Sequence, residues 1–135
     1  MKKNVMRNDG FSLTELLVVI VVIGILVLLA LPKFTSVVSK AKETEAKIML
    51  SHLHTLQQAY YFENDTYSMD LMQLGFEQQR LITDGGTARY KIEIIKASTT
   101  EYEAQATAIV DFDKDGTLNV WKITHEGKPI QTIPD

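Results

Sequence analysis

The sequence predicts an α+β fold: one long N-terminal α-helix followed by a small antiparallel β-meander of about three strands. Two patterns carry that prediction. The run Leu16–Leu31, LLVVIVVIGILVLLAL, has no charged or polar side chain, and beyond it apolar residues recur at three- and four-residue steps to about Phe62, the spacing of one face of a helix. Three later segments are rich in β-branched residues or alternate apolar with polar side chains, with short turn-forming stretches between them; strands joined by turns read this way. With 135 residues, the chain has the size of one domain, for which about 100–200 residues is usual.

Residues 1–10 read as a short basic leader carrying Lys2, Lys3, Arg7 and Asp9, with a net charge of +2, and the remainder carries −5. A basic head before an apolar block is a targeting signature. Residues 11–32 read as a hydrophobic transmembrane helix. Phe11–Leu31 gives about 31 Å of helix at ~1.5 Å per residue, enough for a hydrocarbon core of ~30 Å. Basic residues before the span leave the N-terminus cytoplasmic and the bulk of the chain across the membrane.

Residues 33–63 continue as an amphipathic helix, with Phe34, Val38, Ala41, Met49, Leu53, Leu56 and Tyr60 on one stripe. Residues 64–88 form a connecting loop in which aromatic and apolar anchors fold back on the helix. The meander occupies residues 89–125, with strands Arg89–Ala97, Glu101–Val110 and Thr117–Thr124. In the second, Tyr102, Ala104, Ala106, Ala108 and Val110 share one face, small enough for a helix to approach closely. Residues 126–135 read as a polar tail, with Pro129 and Pro134 limiting further regular structure.

Composition excludes several classes. Apolar residues are 45% and charged ones 23%, which is ordinary for a folded protein. There is no cysteine, so disulfides, thiolate metal sites and cysteine nucleophiles are all removed. The acidic balance disfavours a general DNA-binding surface, and no nucleic-acid partner is expected. The sequence holds no G-x-S-x-G, H-E-x-x-H, Walker loop or G-x-G-x-x-G, and no enzymatic activity is expected. His52 and His54 point about 200° apart on a helix and cannot chelate together; His125 lies at a strand end. All three read as solvated or packed.

The segment Gly10-Phe11-Ser12-Leu13-Thr14-Glu15, then the apolar run, then Pro32, is the most specific motif. A secretory signal would be cleaved after the apolar block, but Leu29-Ala30-Leu31-Pro32 is a poor cleavage site. A plain membrane anchor leaves Glu15 unexplained, since a Glu deep in a membrane costs on the order of 2–3 kcal/mol or more. The motif resembles the prepilin signature shared by type IV pilins and the pseudopilins of type II secretion. The resemblance covers about the first 34 residues; Tyr60–Tyr67 with Leu71 and Leu74-Gly75-Phe76 adds a weaker match to the post-helix segment of that superfamily.

The resemblance implies that a prepilin peptidase cuts after Gly10 and that Phe11 becomes an N-methylated N-terminus. It implies that Phe11–Leu31 serves first as a membrane helix and then as filament core, with the second half of the helix packed on the sheet. Glu15 would set filament register, because a lone carboxylate buried between helices needs a partner and the new α-amino group of Phe11 supplies one. Gly24 and Pro32 are the helix-weakening positions, between which the helix can melt in filaments of this family. Assembly would use an inner-membrane platform, an assembly ATPase and minor pseudopilins or pilins. The subunit would sit in the bacterial inner membrane as a single-pass protein with a periplasmic C-terminal domain, before joining a periplasmic or surface filament.

Asp111-Phe112-Asp113-Lys114-Asp115-Gly116 matches the first half of a calcium loop, and a similar turn occurs in some pilin-like proteins that bind calcium. Position twelve would be Lys122, where a bidentate Glu is expected, so a hairpin turn is the competing explanation. Apart from possible calcium at Asp111, Asp113 and Asp115, no cofactor is expected. The short leader, small meander and missing cysteine pair favour a type II secretion pseudopilus subunit driving protein export, although the D-P-W-G-type segment of major pseudopilins is absent. The alternatives are a type IV pilin for adhesion, twitching motility or DNA uptake, and a membrane-tethered binding module that never polymerises.

Overall fold

The computed structural model describes residues 10–112 and 114–134, with the backbone alone over residues 31–38. Most of the expected leader, and the stripe positions Phe34 and Val38 as side chains, lie outside the described set. A single helix, α1, runs Leu13–Asn64. Strands β1 (Tyr90–Ala97), β2 (Tyr102–Ala108), β3 (Val120–Thr124) and β4 (Ile130–Ile133) follow, forming one antiparallel sheet in the order β1-β2-β3-β4. The chain divides into two compact units, Met1–Ser36 and Val37–Asp135.

The second unit has its own core. Ala46, Leu50 and Leu53 of α1 are fully buried against Tyr90, Ile92, Tyr102, Ala104, Ala106, Ala108, Trp121 and Ile123 of the sheet. The alanines of β2 keep the facing layer thin, so the helix packs directly on the centre of the sheet. Register carries the alternation across strands: Ala104 faces Ile123 and Ala106 faces Trp121, and both pairs lie on the buried side.

The sheet has four strands rather than about three, and the tail of residues 126–135 contributes the fourth. Gly127, at φ +77°, closes the turn with its N–H on the Thr124 carbonyl, 2.9 Å away. Pro129 precedes the first residue of an edge strand, a position that tolerates the missing N–H. The strand limits are also tighter than expected. Val110 leaves the ladder and is 37% exposed, because the chain is already turning into the 111–116 loop. β3 begins at Val120 because the Thr117 N–H is held by the Asp115 carboxylate at 2.7 Å.

The 64–88 connection is tied down by side chains that imitate backbone. Gln57 is fully buried; it donates to the Ser68 carbonyl (2.7 Å) and accepts from the Ser68 N–H (3.0 Å). Gln78 does the same along the outer edge of β1, donating to the Tyr90 carbonyl (3.1 Å) and accepting from the Ile92 N–H (2.9 Å). Glu45 of α1 takes the Arg89 N–H at 2.7 Å. Tyr67, Leu71, Leu74 and Phe76 pack on the core, as the sequence predicts for this loop. A Cβ at Gly86 would run into the Arg80 carbonyl.

Gln57→Ala strips both Ser68 backbone groups of their partner. Unsatisfied buried groups cost about 1–3 kcal/mol each, so a loss of about 2–4 kcal/mol is expected in urea unfolding of the detergent-solubilised chain. Thr55→Ala on the exposed face should change stability by less than about 0.5 kcal/mol.

Candidate functional site

The first unit is built around the N-terminal half of α1. Gly10 and Phe11 precede the helix, and Phe11 is 86% exposed. The helix is opened by a reciprocal cap. Ser12 Oγ accepts from the Glu15 N–H (3.2 Å), and a Glu15 carboxylate oxygen accepts from the Ser12 N–H (2.8 Å). This is the capping box, in which two otherwise unpaired N–H groups of a helix start are satisfied together. The first helical bond follows, Leu16 N–H to the Ser12 carbonyl at 3.2 Å. Glu15 therefore stands one turn inside the helix with its carboxylate turned back toward the chain start, beside the nitrogen of Phe11's neighbour.

Beyond the cap the helix has no cover. Leu13–Ala30 has a mean hydropathy of 3.0 with none of it buried. The most shielded of its large apolar side chains, Val22, is still 48% exposed. Among the described residues this is the single stretch long and apolar enough to cross a membrane. A continuous apolar surface of that kind exceeds what soluble monomers leave open.

Gly24 sits mid-helix with nothing within 4 Å of an added Cβ. No contact within the chain demands glycine there, and it costs the helix about 1 kcal/mol relative to alanine. Pro32 lies within the continuous α1; lacking an N–H, it leaves the Leu28 carbonyl without its usual partner.

The second sequence candidate, the Asp111–Gly116 loop, lies in the other unit. The Asp111 carboxylate accepts from the Lys114 N–H (2.6 Å) and the Gly116 N–H (2.7 Å), and Asp115 accepts from the Thr117 N–H. Lys114 (φ +66°) and Gly116 (φ +92°) adopt the left-handed conformation that a tight turn needs. Asp113 lies outside the described residues. Among the described residues, no three His, Cys, Asp or Glu side chains converge as metal ligands do.

Two comparisons align with this division. A family model described as "Prokaryotic N-terminal methylation motif" matches residues 5–31. A second, "Type IV minor pilin ComP, DNA uptake sequence receptor", matches residues 32–118, which is most of the remaining chain. This chain belongs to the type IV pilin family. The pilin is 40% identical over 74 residues to the "Type IV major pilin protein PilA" of Myxococcus xanthus, covering 55% of this chain and 34% of that protein. It is 38% identical over 83 residues to "Fimbrial protein Q" of Moraxella bovis, covering 61% and 53%. It is 30% identical over 101 residues to the "Type IV wide pilus major component PilA4" of Thermus thermophilus, covering 72% of each. The pilin thus spans about a third of the Myxococcus protein and about half of the Moraxella one.

The capping role of Ser12 was legible in the pattern Ser-x-x-Glu ahead of an apolar run, a signal of helix start. The sequence reading takes Ser12 as part of the prepilin-like motif and gives Glu15 a role in filament register, without pairing the two as a helix cap. The anchors Gln57 and Gln78 carry no local signal, because their partners lie 11 to 14 residues away in the chain.

Gly24→Ala should strengthen the apolar helix by about 1 kcal/mol. Amides of Val21–Leu28 in detergent micelles should then exchange with deuterium about fivefold more slowly, if opening of this stretch limits exchange.

Proposed function

We propose that this pilin is a structural subunit of a type IV pilus, processed in the inner membrane and then assembled into a surface filament. The observation that carries the reading is the uncovered helix Leu13–Ala30 with a single carboxylate at its start. Lipid can cover such a helix, and so can other copies of it. The curated relatives are named as a type IV pilin, a fimbrial protein and a type IV pilus component, which favours a pilus over the type II secretion pseudopilus that leader length and domain size suggest. They also favour a filament over a tethered, non-polymerising binding module. The N-terminus is cytoplasmic and the Val37–Asp135 unit periplasmic before assembly, following the basic residues ahead of the span.

In this account the Gly10–Phe11 bond is cut by a prepilin peptidase and the amine of Phe11 is methylated. Cleavage turns an amide nitrogen into a cation one helical turn from Glu15. The Ser12–Glu15 bond then competes with pairing to that cation, either on the same helix or on an axially shifted neighbour. Pairing between subunits leaves no charge alone in an apolar core, and a slipped neighbour would. An assembly platform, an ATPase and minor pilins supply the work of extraction from lipid.

The family model's description names a DNA uptake receptor, but we do not extend DNA binding to this pilin. Many of its cations are engaged: Lys91 with Glu93, Lys96 with Glu101, Lys122 with Glu103, and Arg89 with Glu45. Lys42 and Lys47 lie over the rings of Phe112 and Trp121, at 4.5 and 4.4 Å from the centroids. No free basic stripe is assembled from these residues to track phosphates.

The 111–116 loop we read as a turn whose carboxylates cap its own backbone. Calorimetric titration of the pilin with calcium should give no saturable heat up to about 1 mM, the weak end of extracellular calcium modules. Saturable heat abolished by Asp111→Asn would make the loop a calcium site instead.

Electron microscopy of cells expressing Glu15→Ala tests the assembly reading. The variant should be processed and reach the membrane but form few filaments, because an unpaired buried charge costs about 3–5 kcal/mol. Filaments in normal yield and register would refute the role of Glu15. Pilin that stays in the membrane even as wild type, with intact assembly machinery, would refute the filament.

A further inference from the structure

His54 joins three elements of the second unit. It projects from α1, and its Nδ1 lies 2.6 Å from the Tyr102 hydroxyl on β2, with the two rings stacked at 6.0 Å. Tyr102 is fully buried, so its hydroxyl depends on that partner. The other ring nitrogen, Nε2, has the Gln58 amide 3.4 Å away. On its remaining side is the β3–β4 turn: a Cβ added at Gly127 would fall 2.7 Å from Nε2. Glycine is therefore required twice at that position, by its positive φ and by the imidazole against it.

We propose that His54 is a pH-responsive latch that holds the β3–β4 turn, and with it the C-terminal strand β4, against helix α1. In the neutral ring Nε2 accepts from the Gln58 amide nitrogen and the Nδ1–H donates to the Tyr102 hydroxyl oxygen. When the ring takes a second proton both nitrogens become donors. The Nε2–H then faces a second donor, the Gln58 amide nitrogen, at the ring edge packed against the Gly127 turn, so that hydrogen bond is lost where the turn meets the helix.

The groups around the ring act in the same direction. From α1 comes the neutral Gln58. From β2 comes Tyr102, whose own ionisation burial pushes up, with Tyr67 of the connecting loop packed 5.0 Å from its ring. From the turn comes His125, whose positive charge opposes a second one on His54, while Glu126 and Lys128 of the same turn are exposed. Burial, and then His125, hold His54 below its ordinary value of 6.5. The unfolded chain thus binds the proton more readily than the folded one. The contribution of the latch is complete above about pH 6.5 and is lost as pH falls through the lower folded value. β4 is the element released, because it is a four-residue edge strand whose one ladder is with β3, and the Gln131 amide to Glu43 of α1, at 3.3 Å, is a long side-chain bond.

The test is NMR of the full chain in detergent micelles between pH 7.5 and 4.5. The His54 ring should titrate below pH 6.5, and amides of Thr124–Gly127 and Ile130–Ile133 should shift with the same midpoint. Their hydrogen exchange, corrected for intrinsic rate, should rise severalfold at pH 5. His54→Gln should abolish this pH response, and His125→Gln should keep it with a raised midpoint. Titration of His54 without movement of the turn and β4 would overturn the latch, as would an unchanged pH response in His54→Gln. If His54→Gln does not fold, the wild type and His125→Gln still decide: a midpoint for the turn that ignores the loss of His125 overturns the proposal.

Discussion

Fourteen large apolar side chains between Leu13 and Leu29 stand open on one helix. Moving them out of water is favourable by on the order of 20 kcal/mol, far more than the marginal stability of a folded domain. Everything else about the pilin answers to that surface. Lipid and other apolar helices are the two environments that match it, which is why the proposed function sets a membrane before assembly and a like helix after it. It also makes the one carboxylate at its start consequential. Glu15 caps its own helix, and in the function proposed above cleavage then places a cation within its reach.

The second unit meets the opposite demand, staying folded in water with a modest core. Its sheet is small, and three alanines of β2 thin the layer that faces the helix. Stability comes from full burial of Leu50, Leu53, Tyr90, Tyr102 and Ile123 and from side-chain amides that close backbone gaps. Gln78 replaces a missing strand partner of β1, and Gln57 supplies both backbone partners of Ser68 in the connecting loop. Gln78 also occupies part of the open edge of β1, which blunts the edge against pairing with another chain.

Patterns that repeat within a few residues were legible in the sequence. The apolar run, the helical stripe through Leu53 and Leu56, and the alternation from Tyr102 to Ala108 fixed the fold class and the long helix. The N-terminal methylation motif was legible because it is contiguous: Gly10, Phe11, Glu15 and the run beyond them lie in one stretch. Strand β4 was missed because Pro129 and Pro134 bracket it and its four residues give too little alternation. The limits of β2 and β3 were overextended because the Asp111–Thr117 loop takes its hydrogen bonds from aspartate side chains rather than from the ladder. The His54–Tyr102 bond spans 48 residues and leaves no local trace.

The central claim is that the exposed helix is buried by copies of itself, in a register set by Glu15. A reconstruction of the filament at side-chain resolution measures this directly. The account predicts a core of Phe11–Leu31 helices in which the Glu15 carboxylate of one subunit lies within hydrogen-bonding distance of the Phe11 amine of an axially shifted neighbour. A core filled by lipid or solvent, or a Glu15 that contacts no group outside its own helix, would contradict it.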